Sequence, residues 1–137
     1  MKWGILGHGL IAPQFIKSLT AIPTQQLFAI GSRSNATDLA TRYPDVRVYD
    51  TYEALCKDEE VDVIYVSTPH NFHREHTLLA LSHGKHVVCE KPMGISAAEV
   101  QEMQAMAKKE KRFLMEGMWT RFLPAYRKAI QEIQNGI

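Results

Sequence analysis

The hexapeptide Gly7-His8-Gly9-Leu10-Ile11-Ala12 follows a short apolar run at residues 2–6 and precedes Ile11, Phe15, Ile16 and Leu19 at helical spacing. In a G-x-G-x-x-A turn between strand and helix, the first glycine permits a sharp bend, the second lets the backbone approach a ligand, and the alanine lets helix and strand pack closely. The chemistry available there is to cradle a pyrophosphate against unpaired N–H groups at a helix N-terminus. Gly7, His8, Gly9, Leu10 and Ile11 are the candidate residues. A glycine-rich turn with no ligand is the plainer alternative, and the flanking strand and helix argue against it.

A second group stands at Gly31-Ser32-Arg33-Ser34, after the next strand candidate. A dinucleotide fold that binds NAD normally places a carboxylate here for the ribose 2'-hydroxyl, and this chain has none. Ser32 and Arg33 suit a 2'-phosphate instead, because a guanidinium pairs bidentately with phosphate oxygens and a hydroxyl adds a further hydrogen bond. The expected cofactor is therefore NADP rather than NAD, against the alternative of a solvated loop arginine.

Two further groups follow later strands. Thr68-Pro69-His70-Asn71-Phe72-His73 lies at a strand's carboxyl end, where open α/β sheets bind ligands. Thr68 and Pro69 are candidates for the cofactor wall, while Asn71 and His73 are open both to cofactor contact and to helix capping. His70, His73 and His76 recur every three residues, which spreads them over more than one helical face, and no metal site is expected. Glu90-Lys91-Pro92 holds the residue best suited to proton transfer. A lysine partly desolvated beside a cationic nicotinamide can act as a base toward a hydroxyl, although a surface turn is the commoner place for a lysine.

The elements that must position these groups alternate strictly. Strands are expected at residues 2–6, 27–31, 46–49, 61–67, 85–89 and 113–116, with helices near 11–19, 36–42, 51–57, 72–82 and 124–135, and one opening after Ser96 with Val100, Met103, Met106 and Ala107 on its apolar face. Ser96 and Glu99 make a capping box, Gly84 ends a helix, and Asn135-Gly136 ends the last one, whose Tyr126, Ala129, Ile130 and Ile133 are expected to face inward. Strands this continuously apolar are buried on both faces, so the fold class is α/β: a Rossmann fold with a doubly wound parallel sheet and helices on both faces.

The chain has 137 residues, 45% hydrophobic and 23% charged, with a formal net charge of +1. That is one globular domain of ordinary composition, without the basic field that draws nucleic acid or anionic membrane. No segment has the length or apolarity of a membrane span or signal sequence, and a cytoplasmic location is expected. Cys56 and Cys89 have neither metal-ligand spacing nor a disulfide framework, and read as reduced structural residues.

Together these segments resemble the glucose-fructose oxidoreductase and inositol dehydrogenase family, Gfo/Idh/MocA, through essentially the whole chain. The resemblance is carried by the motifs above and most specifically by Gly84-Lys85-His86-Val87-Val88-Cys89-Glu90-Lys91-Pro92. Glu116-Gly117-Met118-Trp119-Thr120-Arg121-Phe122-Leu123-Pro124 is similar to the branch containing dihydrodiol dehydrogenases and NADP-dependent xylose dehydrogenases. The resemblance implies hydride transfer to or from a sugar, polyol or diol, with Lys91 in proton transfer beside the nicotinamide and Glu90 beside it. It also brings Trp119 and Arg121 toward the nicotinamide, or leaves them packing at a domain boundary. Family members continue into a second α/β domain that binds substrate and forms oligomers. The expectation is a cofactor domain at residues 1–137 whose catalysis alone is feeble or nil. Two other readings are a dinucleotide sensor without catalysis and a mononucleotide-binding Rossmann protein, and Lys91 in an intact Glu-Lys-Pro context argues against both.

Overall fold

The computed structural model describes residues 1–136. Its elements alternate as β1 (Lys2–Leu6), α1 (Ala12–Thr20), β2 (Gln26–Gly31), α2 (Ala36–Arg42), β3 (Arg47–Tyr49), α3 (Tyr52–Lys57), β4 (Val63–Val66), α4 (His73–Ser82), β5 (His86–Cys89), α5 (Ala97–Lys109), β6 (Leu114–Glu116) and α6 (Pro124–Gln134). Short 3-10 turns at His70–Phe72 and Trp119–Phe122 precede α4 and α6. The strands form one parallel sheet in the order β3-β2-β1-β4-β5-β6. This is the doubly wound arrangement, in which the chain reverses its direction of travel across the sheet between β1 and β4.

One line of the register fixes where the ligand edge lies. Tyr49, Gly31, Leu6, Val66, Cys89 and Glu116 stand side by side across all six strands. Each is the last residue of its strand, so Ser32, Gly7, Ser67, Glu90 and Gly117 leave the sheet at the same height. The four segments that begin at Gly7, Ser32, Ser67 and Glu90 thereby open onto one crevice.

Both faces of the sheet are covered. Leu55, Ile64, Val66, Leu81, Val87 and Met103 pack in one core cluster, and Ile5, Ala12, Ile16, Leu19, Ile30 and Leu39 pack in the other. Ala12 is wholly buried, which is the close helix–strand approach that a larger side chain would prevent.

Three local differences from the expected elements have physical causes. The β-branched run at 61–67 is strand over Val63–Val66; at its start the Val61 amide is spent in a turn on the Asp58 carbonyl, while at its end the Ser67 amide still donates to the Leu6 carbonyl. At α5 the Ser96 hydroxyl accepts from the Glu99 amide as a capping box requires, but the Glu99 carboxylate reaches one residue further back, to the Ile95 amide at 3.0 Å. The apolar stripe of α6 faces outward rather than inward. Tyr126, Ile130 and Ile133 are exposed, since the sheet is already covered and the helix rests mainly on the 3-10 turn before it.

Candidate functional site

The glycine turn after β1 is built by the fold and offered to a ligand by different glycines. Gly7 has φ +85° and its amide donates to the Gly31 carbonyl; a Cβ there would stand 2.9 Å from Thr68 Cγ2. That conformation and that approach both demand glycine. Ser67 Oγ donates to the Gly7 carbonyl at 2.8 Å, so β4 braces the turn from below. Gly9 is different. A Cβ there would meet protein no nearer than the Ser67 carbonyl at 4.0 Å, so nothing in the chain itself requires a bare backbone at Gly9. His8 beside it bonds Tyr43 Oη through Nε2 at 3.2 Å. Burial, and then the positive charge of Arg42, lower its pKa below the ordinary value, against an opposing backbone hydrogen bond.

The loop after β4 is held by two buried histidines at the start of α4. His76 Nδ1 meets Thr68 Oγ1 at 2.8 Å. His73 is wholly buried, with Nε2 2.8 Å from the Thr68 carbonyl and Nδ1 2.7 Å from the Pro92 carbonyl. The ring therefore sits between the carbonyls of two different loops. No side chain caps α4: its N-cap residue is Phe72, and His73, rather than capping, ties the loop after β4 to the loop after β5.

The Glu-Lys-Pro loop leaves β5 through a cis Lys91-Pro92 bond. The Glu90 carboxylate accepts from Tyr65 Oη at 2.5 Å and from the Lys91 amide at 3.0 Å. Tyr65 in turn stacks on Phe15 of α1, with ring centres 3.7 Å apart. Burial first, and the Glu90 hydrogen bond second, push the phenol pKa upward, so Tyr65 stays a donor to Glu90. Met93 donates its amide to Glu116 at 2.8 Å, which fixes the far side of the loop to β6. Lys91 itself is exposed at the mouth of the crevice, so the desolvation expected of it is not supplied by this chain's own walls.

These loops enclose a cavity of about 790 Å³. Gly7, His8, Gly9, Leu10, Ile11, Ser32, Arg33, Thr68, Pro69, His73, Glu90, Lys91 and Trp119, all candidates from the sequence, line it. Asn71 is exposed away from the cavity, and Arg121 borders a separate one beside Glu116 and Met118. Tyr52, Ser67 and His70 also line the main cavity and were not among the candidates. Tyr52 was findable, standing at a helix start just past the third strand; Ser67 was hidden as the tail of an apolar run.

The donor set suits an anionic dinucleotide. Arg33 and Lys91 line the cavity together with three histidines, against the single carboxylate of Glu90. The bare backbone of Gly9 adds room for a close approach that no protein atom uses. The volume lies within the usual range for small-molecule sites, roughly 300–1,000 Å³. Among the described residues no three His, Cys, Asp or Glu side chains converge on a point that would hold a metal ion. Both cysteines are buried and unpaired, and burial pushes Cys56 up to about 12 and Cys89 to about 11, which leaves them without nucleophilic character at neutral pH.

Comparison with known proteins agrees with this geometry. Residues 1–118 match the family described as the oxidoreductase family, NAD-binding Rossmann fold. The chain is 42% identical to trans-1,2-dihydrobenzene-1,2-diol dehydrogenase of Mus musculus, over 97% of this chain and 41% of that protein. It is 44% identical to the enzyme of the same name from Sus scrofa, over 91% of this chain and 38% of that protein. Scyllo-inositol dehydrogenase of Lactobacillus casei, solved with NAD(H) and scyllo-inositol, superposes with a TM-score of 0.88 at 27% identity, covering 98% of this chain and 41% of that one. The chain thus spans about two fifths of the length of the relatives it matches. Its sheet order, its glycine turn and its sequence match together place it in a known group: the chain belongs to the Gfo/Idh/MocA oxidoreductase family and comprises that family's NAD-binding Rossmann fold.

Proposed function

We propose that this chain is the cofactor-binding part of an NADP-preferring oxidoreductase that acts on the hydroxyl of a sugar, polyol or diol. The observation that carries the proposal is that one crevice is lined by the glycine turn, by Arg33 and by Lys91. Those are a pyrophosphate cradle, a phosphate-pairing cation and a proton-transfer group. When bound, NADP would supply the nicotinamide carbon that takes up or gives back hydride.

The chain's own residues do the rest. Gly7, His8, Gly9, Leu10 and Ile11 hold the pyrophosphate with backbone. Ser32 and Arg33 engage the 2'-phosphate, with no carboxylate in that loop to repel it. Thr68 and Pro69 wall the path from that loop toward Lys91, with His73 fixing them from behind. Lys91 Nζ takes the substrate hydroxyl proton in oxidation and returns it in reduction. Glu90 orients the lysine's backbone and is itself held by Tyr65. Trp119, exposed at the cavity rim, is set to meet the nicotinamide side, and Arg121 to meet substrate or the wall above it.

Orientation of the hydroxyl needs walls on the open side of Lys91, and we assign these to a second α/β domain beyond α6 in the whole protein. The exposed apolar stripe of α6 and the length of the relatives support that assignment. Small-molecule substrates, homo-oligomers formed through that domain and a cytoplasmic site belong to the same proposal; two unpaired buried thiols fit a reducing compartment. Among the described residues no helix is long and apolar enough to cross a membrane.

The test is Lys91→Met in the whole protein, with NADPH binding and turnover measured separately. The proposal expects turnover to fall by about 10²–10⁴-fold, the usual contribution of a positioned acid or base, while the dissociation constant for NADPH changes little. Full turnover in Lys91→Met contradicts the role of Lys91, whereas NADPH binding without turnover by the unaltered whole protein would favour a dinucleotide sensor without catalysis.

A further inference from the structure

Arg33 has an unusual setting for an exposed arginine. Its guanidinium carbon lies 5.3 Å from the centre of the Tyr52 ring and 5.6 Å from that of Phe72, both within cation–π reach. The two rings come from different parts of the chain. Tyr52 opens α3 beyond β3, and Phe72 closes the 3-10 turn beyond β4. Among the described residues Arg33 makes no ion pair and no side-chain hydrogen bond. Its charge is met by ring faces, which leave its in-plane N–H groups uncommitted.

Behind the rings stands one buried support. The His76 ring meets Tyr52 edge-on at 4.6 Å and stacks on Phe72 at 5.6 Å with an interplanar angle of 22°. It is 3% exposed and fixed through Nδ1 to Thr68 Oγ1 at 2.8 Å. Gly31 leaves space for the assembly, since a Cβ there would lie 3.1 Å from Tyr52 Cδ1. A phosphate-binding arginine otherwise loses rotamer freedom when it engages its ligand, and holding the fork in place beforehand removes part of that cost.

We propose that Tyr52 and Phe72 are positioning residues for cofactor preference: they clamp the Arg33 guanidinium flat so that its N–H edge is presented to the 2'-phosphate. The clamp rests on the proposal above that Arg33 reads that phosphate. It acts on NADP and not on NAD, because the group it prepares is absent from NAD.

The test is fluorescence titration of the 137-residue chain with NADPH, NADH and adenosine 2',5'-bisphosphate. Phe72→Leu keeps an apolar side chain against His76 and removes the π face. It is expected to weaken NADPH and the bisphosphate about five-fold, equivalent to about 1 kcal/mol for one exposed cation–π contact, and to leave NADH unchanged. Tyr52→Leu should act alike, Phe72→Trp should restore binding, and Phe72→Leu should have no further effect once Arg33 is alanine. Equal loss of NADPH and NADH, no loss of NADPH, or the same loss without Arg33 would overturn the clamp. The two proposals separate cleanly. If Arg33→Ala weakens NADPH selectively and Phe72→Leu is silent, the clamp alone is wrong; if Arg33→Ala weakens both cofactors equally, the reading of the 2'-phosphate is wrong and the clamp with it.

Discussion

The buried imidazole of His73 stands 2.7 Å from the carbonyl oxygen of Pro92, immediately beyond Lys91. Its other nitrogen holds the Thr68 carbonyl, so one ring joins the loop that walls the crevice to the loop that carries the lysine. Replacing His73 with alanine removes the ring from between the Thr68 and Pro92 carbonyls. A cost of about 1–3 kcal/mol is expected for a buried carbonyl left without its donor. Urea unfolding should show that loss, and amide exchange at Met93 and Gly94 should quicken. Unchanged stability and exchange would mean that the strut carries no load.

The two glycines of the turn should fail in different ways. Gly7→Ala sets a side chain at φ +85° and 2.9 Å from Thr68 Cγ2, and should cost about 1–2 kcal/mol of stability or more. Gly9→Ala meets open space and should shift stability by less than about 0.5 kcal/mol. Its effect should fall on NADPH, weakened about ten-fold or more, since a pyrophosphate would use the space. Denaturation and titration of both variants separate these outcomes, and a stable Gly9→Ala that binds normally would show that the turn does not hold the cofactor.

Histidine protonation sets the acid side of stability. Burial lowers the pKa of both His8 and His76 from 6.5; the Arg42 charge adds to this at His8, whereas at His76 Glu75 opposes it and Arg33 adds to it. In the unfolded chain these rings take up protons as pH falls through about 6.5, while the folded chain resists until a lower pH. The unfolded state therefore binds more protons in that window, and stability is full above about pH 6.5 and declines below it. Urea midpoints at pH 7.5 and 5.5 should show the decline, and a His8→Asn, His76→Asn double variant should flatten it. An undiminished slope in that variant would place the titration elsewhere.

Tyr65 and Glu90 should act as a unit. Tyr65→Phe removes the phenol that donates to the carboxylate, with an expected loss of about 1.5–3 kcal/mol for a bond to a charged group. Glu90→Gln should cost less once Tyr65 is already phenylalanine. A double-mutant cycle by denaturation measures the coupling, and strict additivity would exclude it.

Much of this was legible because the relevant signals are local. Strand, glycine turn and helix adjoin within residues 2–20, and the apolar runs of β4 and β5 announce strands buried on both faces. The convergence of Ser32, Gly7, Ser67 and Glu90 on one edge follows from parallel pairing, which the alternation of elements already implied. The double anchorage of His73 was not legible, because its partners are carbonyls and every residue has one. Nor was the company of Arg33, since Tyr52 and Phe72 lie in different loops and only the fold brings them together. The outward face of α6 was misread for a related reason: periodicity tells which residues share a face, not what covers it.

The central claim is that this crevice binds a dinucleotide and prefers the one with a 2'-phosphate. Its most direct measurement is a side-by-side titration of the chain with NADPH and NADH, repeated with Arg33→Ala. Binding of NADPH at least about ten-fold tighter than NADH, a gap of about 1.4 kcal/mol, with the gap closed by the substitution, is the expected result; equal binding of the two cofactors by the unaltered chain, or binding of neither, would contradict it.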